Sequence, residues 1–150
     1  MPVPLPAYAN VVEALKPLLF DLPGILVGID GRNGIGKTTL GRYLAWKFNV
    51  SLIEADLFLK VGCGTPEHFL NEINRIIQFR LDKPRPVILE SIGLLRILER
   101  LGRRSDFMVY CYSNNYDPDD ELRPWLDEYD HTYAPRDRAN IVADITYADS

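Results

Sequence analysis

Apolar residues recur at helical spacing between Ala9 and Leu19, where Val11, Val12, Leu15, Leu18 and Leu19 share one stripe. Pro17 inside that stripe predicts a kink or an early end. Pro23 and Gly24 then break the chain, and the run Ile25 to Ile29 reads as a short strand buried on both faces. A glycine-rich loop follows, and Lys37 to Phe48 reads as a helix with Leu40, Tyr43, Leu44 and Phe48 inward. Val50 to Ile53 is strand-like. Thr65 and Pro66 make a good helix start, as N-cap and first helical residue, for a segment that turns Phe69, Ile73, Ile76 and Ile77 inward and ends near Leu81. Pro86 to Leu89 is a third strand, Ser91 to Leu101 a helix with Gly102 as its C-terminal cap, and Asp106 to Tyr112 a fourth strand. One more helix is expected within Asp119 to Tyr129, interrupted around Pro124, before a last strand, Asn140 to Thr146.

Strands that alternate with helices, most of them apolar on both faces, predict an α/β fold: a three-layer arrangement with a mainly parallel five-stranded sheet covered by helices on both sides. A chain of 150 residues without repeats or low-complexity linkers fits one domain, residues 1–150, and supplies a sizeable core. In such sheets ligands bind beyond the carboxyl ends of the strands, where Gly31, Asp56 and Glu90 fall.

Composition narrows the choice of partners. The net charge of -4 disfavours sequence-independent binding to nucleic acid, while a small anion in one local basic pocket remains compatible. No apolar run has the length of a membrane span, and the N-terminal residues lack the pattern of a secretory signal, so the cytoplasm is the expected compartment. Cys63 and Cys111 have neither disulfide-framework nor metal spacing and read as buried or half-buried thiols; His68 and His131 have no second ligand at zinc spacing. The acidic stretch Asp117 to Glu121 reads as a solvated loop.

The decisive chemistry is in Gly31 to Thr38, which matches G-x-x-x-x-G-K-[ST] without a gap. The glycines at 31, 34 and 36 let the backbone curl so that N–H groups of Gly31, Arg32, Asn33, Gly34, Ile35, Gly36 and the following helix point at phosphate oxygens. Lys37 is expected at the β- and γ-phosphates, the Thr38 hydroxyl at Mg²⁺, and Thr39 one step further into the helix. A bound nucleoside triphosphate with Mg²⁺ is therefore predicted. Phosphoryl transfer also needs carboxylates: Glu90, ending the strand "PVILE", suits the metal, and Asp56 suits the attacking group, with Glu54 as competitor.

These residues resemble the uridine kinase and phosphoribulokinase branch of the P-loop kinases. "VGIDGRNGIGKTTLGRYLA" is similar to that branch's IDG-x-x-G-x-GK[ST]T opening, "DLFLK" (Asp56 to Lys60) to its D-x-F-Y-K, "VILESIGLL" (Val87 to Leu95) to its V-I-x-E-G-I-x-L, and "YAPRDRANIVADI" (Tyr133 to Ile145) to the segment before its last strand. The resemblance implies ATP as donor, Asp56 as base toward an acceptor hydroxyl, and Glu90 as the acidic residue of the metal site.

Three departures bear on the acceptor. Ser91 replaces a glycine and Leu59 replaces the tyrosine that belongs to nucleoside recognition, which argues against uridine or cytidine as acceptor. In place of an Arg-rich lid stands "SNNYDPDDELRPWLDEYDHTY", with Arg123 as its one arginine. Arg123, Arg32, Arg136 and Arg138 are the candidates to meet γ-phosphate charge; Arg32 equally reads as a solvated loop side chain, and the others as surface ion-pair partners. Arg96, Arg100, Arg103 and Arg104 read as a solvated helix face. Tyr116, Trp125, Tyr129 and Tyr133 read as loop anchors, with base stacking as the rival role. The predicted function is an ATP-dependent kinase acting on a hydroxyl of a small metabolite, with a nucleotide-binding regulatory or partner-dependent module as the alternative and a simple hydrolase as a third reading.

Overall fold

Apolar strands that can only be satisfied by cover on both faces dictate the centre of this molecule. The computed structural model describes residues 5–115 and 121–146. Its strands are β1 (Leu26–Gly31), β2 (Ser51–Glu54), β3 (Val87–Glu90), β4 (Phe107–Tyr112) and β5 (Ile141–Asp144), all parallel, in the order β2-β3-β1-β4-β5. Every residue of β1 and β3 is buried, as a sheet sandwiched between helix layers demands.

The helices are α1 (Pro6–Leu19), α2 (Lys37–Phe48), α3 (Leu70–Asp82), α4 (Leu94–Leu101), α5 (Arg123–Tyr133) and the short α6 (Pro135–Arg138). Side-chain alternation splits each strand between two cores. Val27, Ile29, Ile88 and Val109 pack with Val11, Leu15, Leu40 and Leu44 of α1 and α2. Leu26, Val87, Leu89 and Met108 pack with Ile73, Ile77, Leu94, Leu98 and Tyr129 of α3, α4 and α5. The expected three-layer α/β fold is present, with a sheet that is wholly parallel. No helix among the described residues is long and apolar enough to cross a membrane.

Several element boundaries differ from expectation, each for a local reason. Pro17 does not shorten α1, which starts at Pro6 and runs two residues past it; Leu18 is exposed and not part of the inward stripe. The helix predicted from Thr65 begins at Leu70. Residues 58–60 and 67–69 pair instead as an antiparallel return: Lys60 N donates to Glu67 O at 2.7 Å, Phe69 N donates to Phe58 O at 2.7 Å, and Leu59 bridges His68. Gly62 and Gly64 turn the chain there with positive φ, and Phe69 is left 49% exposed, not inward. Cys63 lies on this turn and is exposed, against the expected burial, whereas Cys111 is buried.

The fourth helix waits until Leu94 because Gly93, at φ +59°, occupies the left-handed region just before it. Pro124 does not interrupt α5; it sits in the first turn, where a missing N–H costs nothing, and the helix extends to Tyr133. The expected helix start at Asp119, the bulk of the acidic stretch and Tyr116 lie outside the described residues. The arginines of the fourth helix are not simply a solvated face. Arg96 and Arg100 meet Glu67, and Arg103 donates to Asn74 and Gln78.

Gly28 shows how closely the layers approach. A Cβ there would lie 2.5 Å from Cδ2 of the fully buried Leu94. Gly28→Val is expected to lower stability by about 1–3 kcal/mol through overpacking. Urea unfolding monitored by circular dichroism checks this, and an unchanged midpoint would show that α4 has room to move.

Candidate active site

The loop between β1 and α2 takes its shape from glycine and one lysine. Gly34 and Gly36 hold φ of +77° and +107°, conformations a side chain disfavours. Gly31 ends β1 so close to β4 that a Cβ would lie 2.7 Å from the carbonyl oxygen of Cys111. Lys37, the first residue of α2, is 5% exposed and folds back so that Nζ donates to the Arg32 carbonyl oxygen at 2.7 Å. This closes the loop into a ring around an amine that keeps two further N–H donors.

Three adjacent strand ends bring acids to that amine. Asp30 is the last residue but one of β1, Glu90 closes β3 in register with Ile29 and Glu54, and Asp56 lies in the 3₁₀ turn Ala55–Phe58 after β2. Burial pushes the Lys37 amine below its ordinary range, and the charges of Glu90, Asp30 and Asp56 oppose the shift. Burial likewise raises the Glu90 carboxyl, against the pull of Lys37 and of Thr38, whose Oγ1 donates to Glu90 Oε2 at 3.0 Å.

A cavity of about 510 Å³ opens on these groups. Lys37, Thr38, Asp56 and Glu90 line it, with Asn33, Gly34 and Gly36 of the loop and apolar walls from Leu59, Ile92 and Leu122. Four predicted site residues thus share one cavity, and three others of the loop face it. Gly31, Arg32, Ile35 and Thr39 are not on its wall: Gly31 belongs to β1, Ile35 to the core, and Thr39 lies further along α2. Arg123 is exposed at the start of α5, beside Leu122 on the wall. Glu54, the rival to Asp56, is tied to Arg42 at 2.7 Å.

Arg32 turns away from the loop. Its Nη2 meets Asp127 at 2.7 Å and Asp130 at 2.8 Å on α5, so it is neither a solvated side chain nor aimed into the cavity. Next to it lies a pair that sequence reading missed. Asp30 is 1% exposed; its carboxylate accepts from Tyr129 Oη at 2.5 Å and from Gly31 N at 2.8 Å, while Tyr129 Oη accepts from Leu95 N at 3.0 Å. Tyr129 stacks between Trp125 and Tyr133, so these rings anchor α5. The available signal for Asp30 was a carboxylate within an otherwise apolar strand.

The donors present fit a phosphate-bearing ligand and a hard cation. The glycine loop, the start of α2 and the spare N–H groups of Lys37 suit oxyanions. The Thr38 hydroxyl and Glu90 carboxylate, already in contact, are oxygen donors of the kind Mg²⁺ takes, and an ion that keeps waters and phosphate ligands needs only one or two from protein. Among the described residues no cluster of three or more His, Cys, Asp or Glu forms a metal cage.

No protein-family model matches the chain, and no curated protein matches it in sequence. Solved structures do match. A possible uridine kinase from Bacillus stearothermophilus is 17% identical with a TM-score of 0.63, over 91% of this chain and 98% of that one. A sugar kinase from a Janibacter species is 17% identical, TM-score 0.59, covering 82% and 86%. A gluconokinase from Sinorhizobium meliloti is 18% identical, TM-score 0.54, covering 85% of each chain. The chain shares the fold of these kinases. In an open parallel α/β sheet of this kind, the cavity at the carboxyl ends of β1, β2 and β3 is the natural candidate site.

Burial raises the Asp30 carboxyl from its ordinary 3.8 to about 6, against the Tyr129 hydrogen bond. Because the folded value is the higher one, the native state holds this proton more tightly, and stability is lost as pH rises from about 4 to about 6. The loss is about 3 kcal/mol for a two-unit shift. Asp30→Asn removes the titration, so the difference in unfolding free energy between variant and wild type is expected to move toward the variant by that order between pH 4 and pH 7. Urea titrations at both values check this; a difference independent of pH would contradict it.

Proposed function

We propose that the chain is a small-molecule kinase that transfers the γ-phosphoryl group of ATP to a hydroxyl of a metabolite. The observation that carries this reading is the presence of Asp56 on the same cavity wall as Lys37, Thr38 and Glu90. A triphosphate on the loop N–H groups and Lys37 would present its terminal phosphorus toward that carboxylate. Asp56 then orients the acceptor hydroxyl and takes its proton as the acceptor oxygen bonds to phosphorus and the bond to the departing ADP breaks. Thr38 and Glu90 would hold Mg²⁺, which would supply neutralisation of phosphate charge. Leu59, Ile92 and Leu122 supply apolar walls that limit water and favour a carbon-bearing acceptor over hydrolysis.

Arg123, next to Leu122 and clear of the Arg32 ion pairs, is the arginine assigned to charge developing on the transferred group. Leu59 on the wall, where the resembled kinases carry tyrosine, supports an acceptor other than a pyrimidine nucleoside. The neighbours in structure are sugar, gluconate and possible uridine kinases, which supports a small polyhydroxylated acceptor class.

One observation favours a second reading, a nucleotide-binding module with little intrinsic transfer: Arg32 is held by two α5 carboxylates and is not free to meet phosphate. An acceptor screen separates the two. ATP consumption stimulated by one hydroxyl compound, with the matching phosphorylated product, supports the kinase; tight ATP binding without stimulated turnover supports the module.

Lys37→Ala is expected to weaken ATP binding at least about tenfold through loss of charge-assisted bonds. Asp56→Asn is expected to keep nucleotide affinity and lose about 10²–10⁴ in kcat. Calorimetric titration and product analysis check both, and full turnover in the Asp56 variant would remove that residue from the mechanism.

A further inference from the structure

A second cleft, of about 610 Å³, opens at the opposite end of the sheet from the glycine loop. Its walls come from α4 between Leu95 and Glu99, the last turn of α5, the Arg103 to Ser105 connection, Arg138 at the end of α6, and the amino-terminal side of β4 and β5 at Met108 and Asn140. Because the strands are parallel, its arginines lie toward the amino-terminal side of β4 and β5, whereas Glu90 lies at a carboxyl end, and none of its lining residues lines the cavity at Lys37.

The charge in this cleft runs against that of the chain. The protein carries a net charge of -4, yet three arginines, Arg103, Arg104 and Arg138, line the cleft against one acid, Glu99. That acid is already engaged by the hydroxyl of Tyr133. Arg103 is pinned by Asn74 at 2.6 Å and Gln78 at 2.7 Å, neutral partners that fix its fork and leave its charge uncompensated. Arg104 and Arg138 are exposed and make no ion pair among the described residues. The other arginines of the α4 segment, Arg96 and Arg100, do have an acidic partner in Glu67.

The cleft also has an apolar floor. Leu95, Leu98 and Met108 are buried beneath it, and Asn140 is held at its edge by Met108 N at 2.8 Å. Three guanidinium groups over an apolar floor suit an organic anion whose oxyanion takes paired N–H donors and whose body covers hydrocarbon. We propose that this cleft is a binding site for a phosphate monoester with an apolar or aromatic body, separate from the nucleotide site. The phosphate oxygens meet Arg104 and Arg138, with Arg103 as the fixed third donor, and the body lies on Leu95, Leu98 and Met108. The assignment does not depend on what the glycine loop transfers.

Phenyl phosphate is the probe, measured by calorimetric titration against wild type, Lys37→Ala, and the double variant Arg104→Gln/Arg138→Gln. The two arginines are exposed and make no ion pair among the described residues, so the double variant is expected to keep the wild-type circular dichroism spectrum and Tm. Binding is expected to survive Lys37→Ala and to weaken at least about tenfold in the double variant. Inorganic phosphate, which lacks the apolar body, is expected to bind more weakly than phenyl phosphate. Loss in Lys37→Ala with retention in the double variant would assign the anion to the glycine loop and overturn the proposal. Absence of binding at millimolar probe, or equal affinity for the two phosphates, would overturn it as well.

Discussion

A lysine amine can remain buried and charged only where negative charge surrounds it, and the arrangement of this molecule follows from that requirement at Lys37. Asp30, Glu90 and Asp56 come from the ends of β1, β3 and the turn after β2, three strands that are neighbours because the sheet runs β2-β3-β1. Strand order is thus also charge order. Three carboxylates face one lysine amine there, an excess of negative charge of the kind a divalent cation would offset.

Helix α5 occupies the place where the resembled kinases carry arginines, and its chemistry is reversed. It offers Asp127 and Asp130 to the loop's own Arg32, and the Tyr129 hydroxyl to Asp30. Such contacts brace the loop from outside. Like α4, α5 reaches from the Asp30 end of the sheet to the basic cleft, which Thr132 and Tyr133 of its last turn line.

The sheet was legible because apolar runs such as "PVILE" and "FMVYCY" admit few readings once both faces must be covered, and the glycine loop because its spacing is tied to one kind of ligand. The start of α3 was not. Thr65 and Pro66 carry a local capping signal, but pairing of residues 58–60 with 67–69 claims the same backbone, and local preference yields to it. Arg32 and Asp30 were illegible for a related reason. Their partners on α5 lie 95 to 99 residues away, so what each does is a property of the assembled layers.

The two cysteines end up in opposite chemical situations. Cys111 is walled in beside Gly31, and burial pushes its thiol up to about 12, beyond the reach of ordinary thiol reagents. Cys63 stands open on the turn between Gly62 and Gly64, a few residues from the Leu59 that forms part of the cavity wall. The native chain thereby carries a single accessible attachment point for a fluorophore or spin label, on the segment that leads to the cavity wall. Optical or magnetic reporting of what happens there requires no engineered residue.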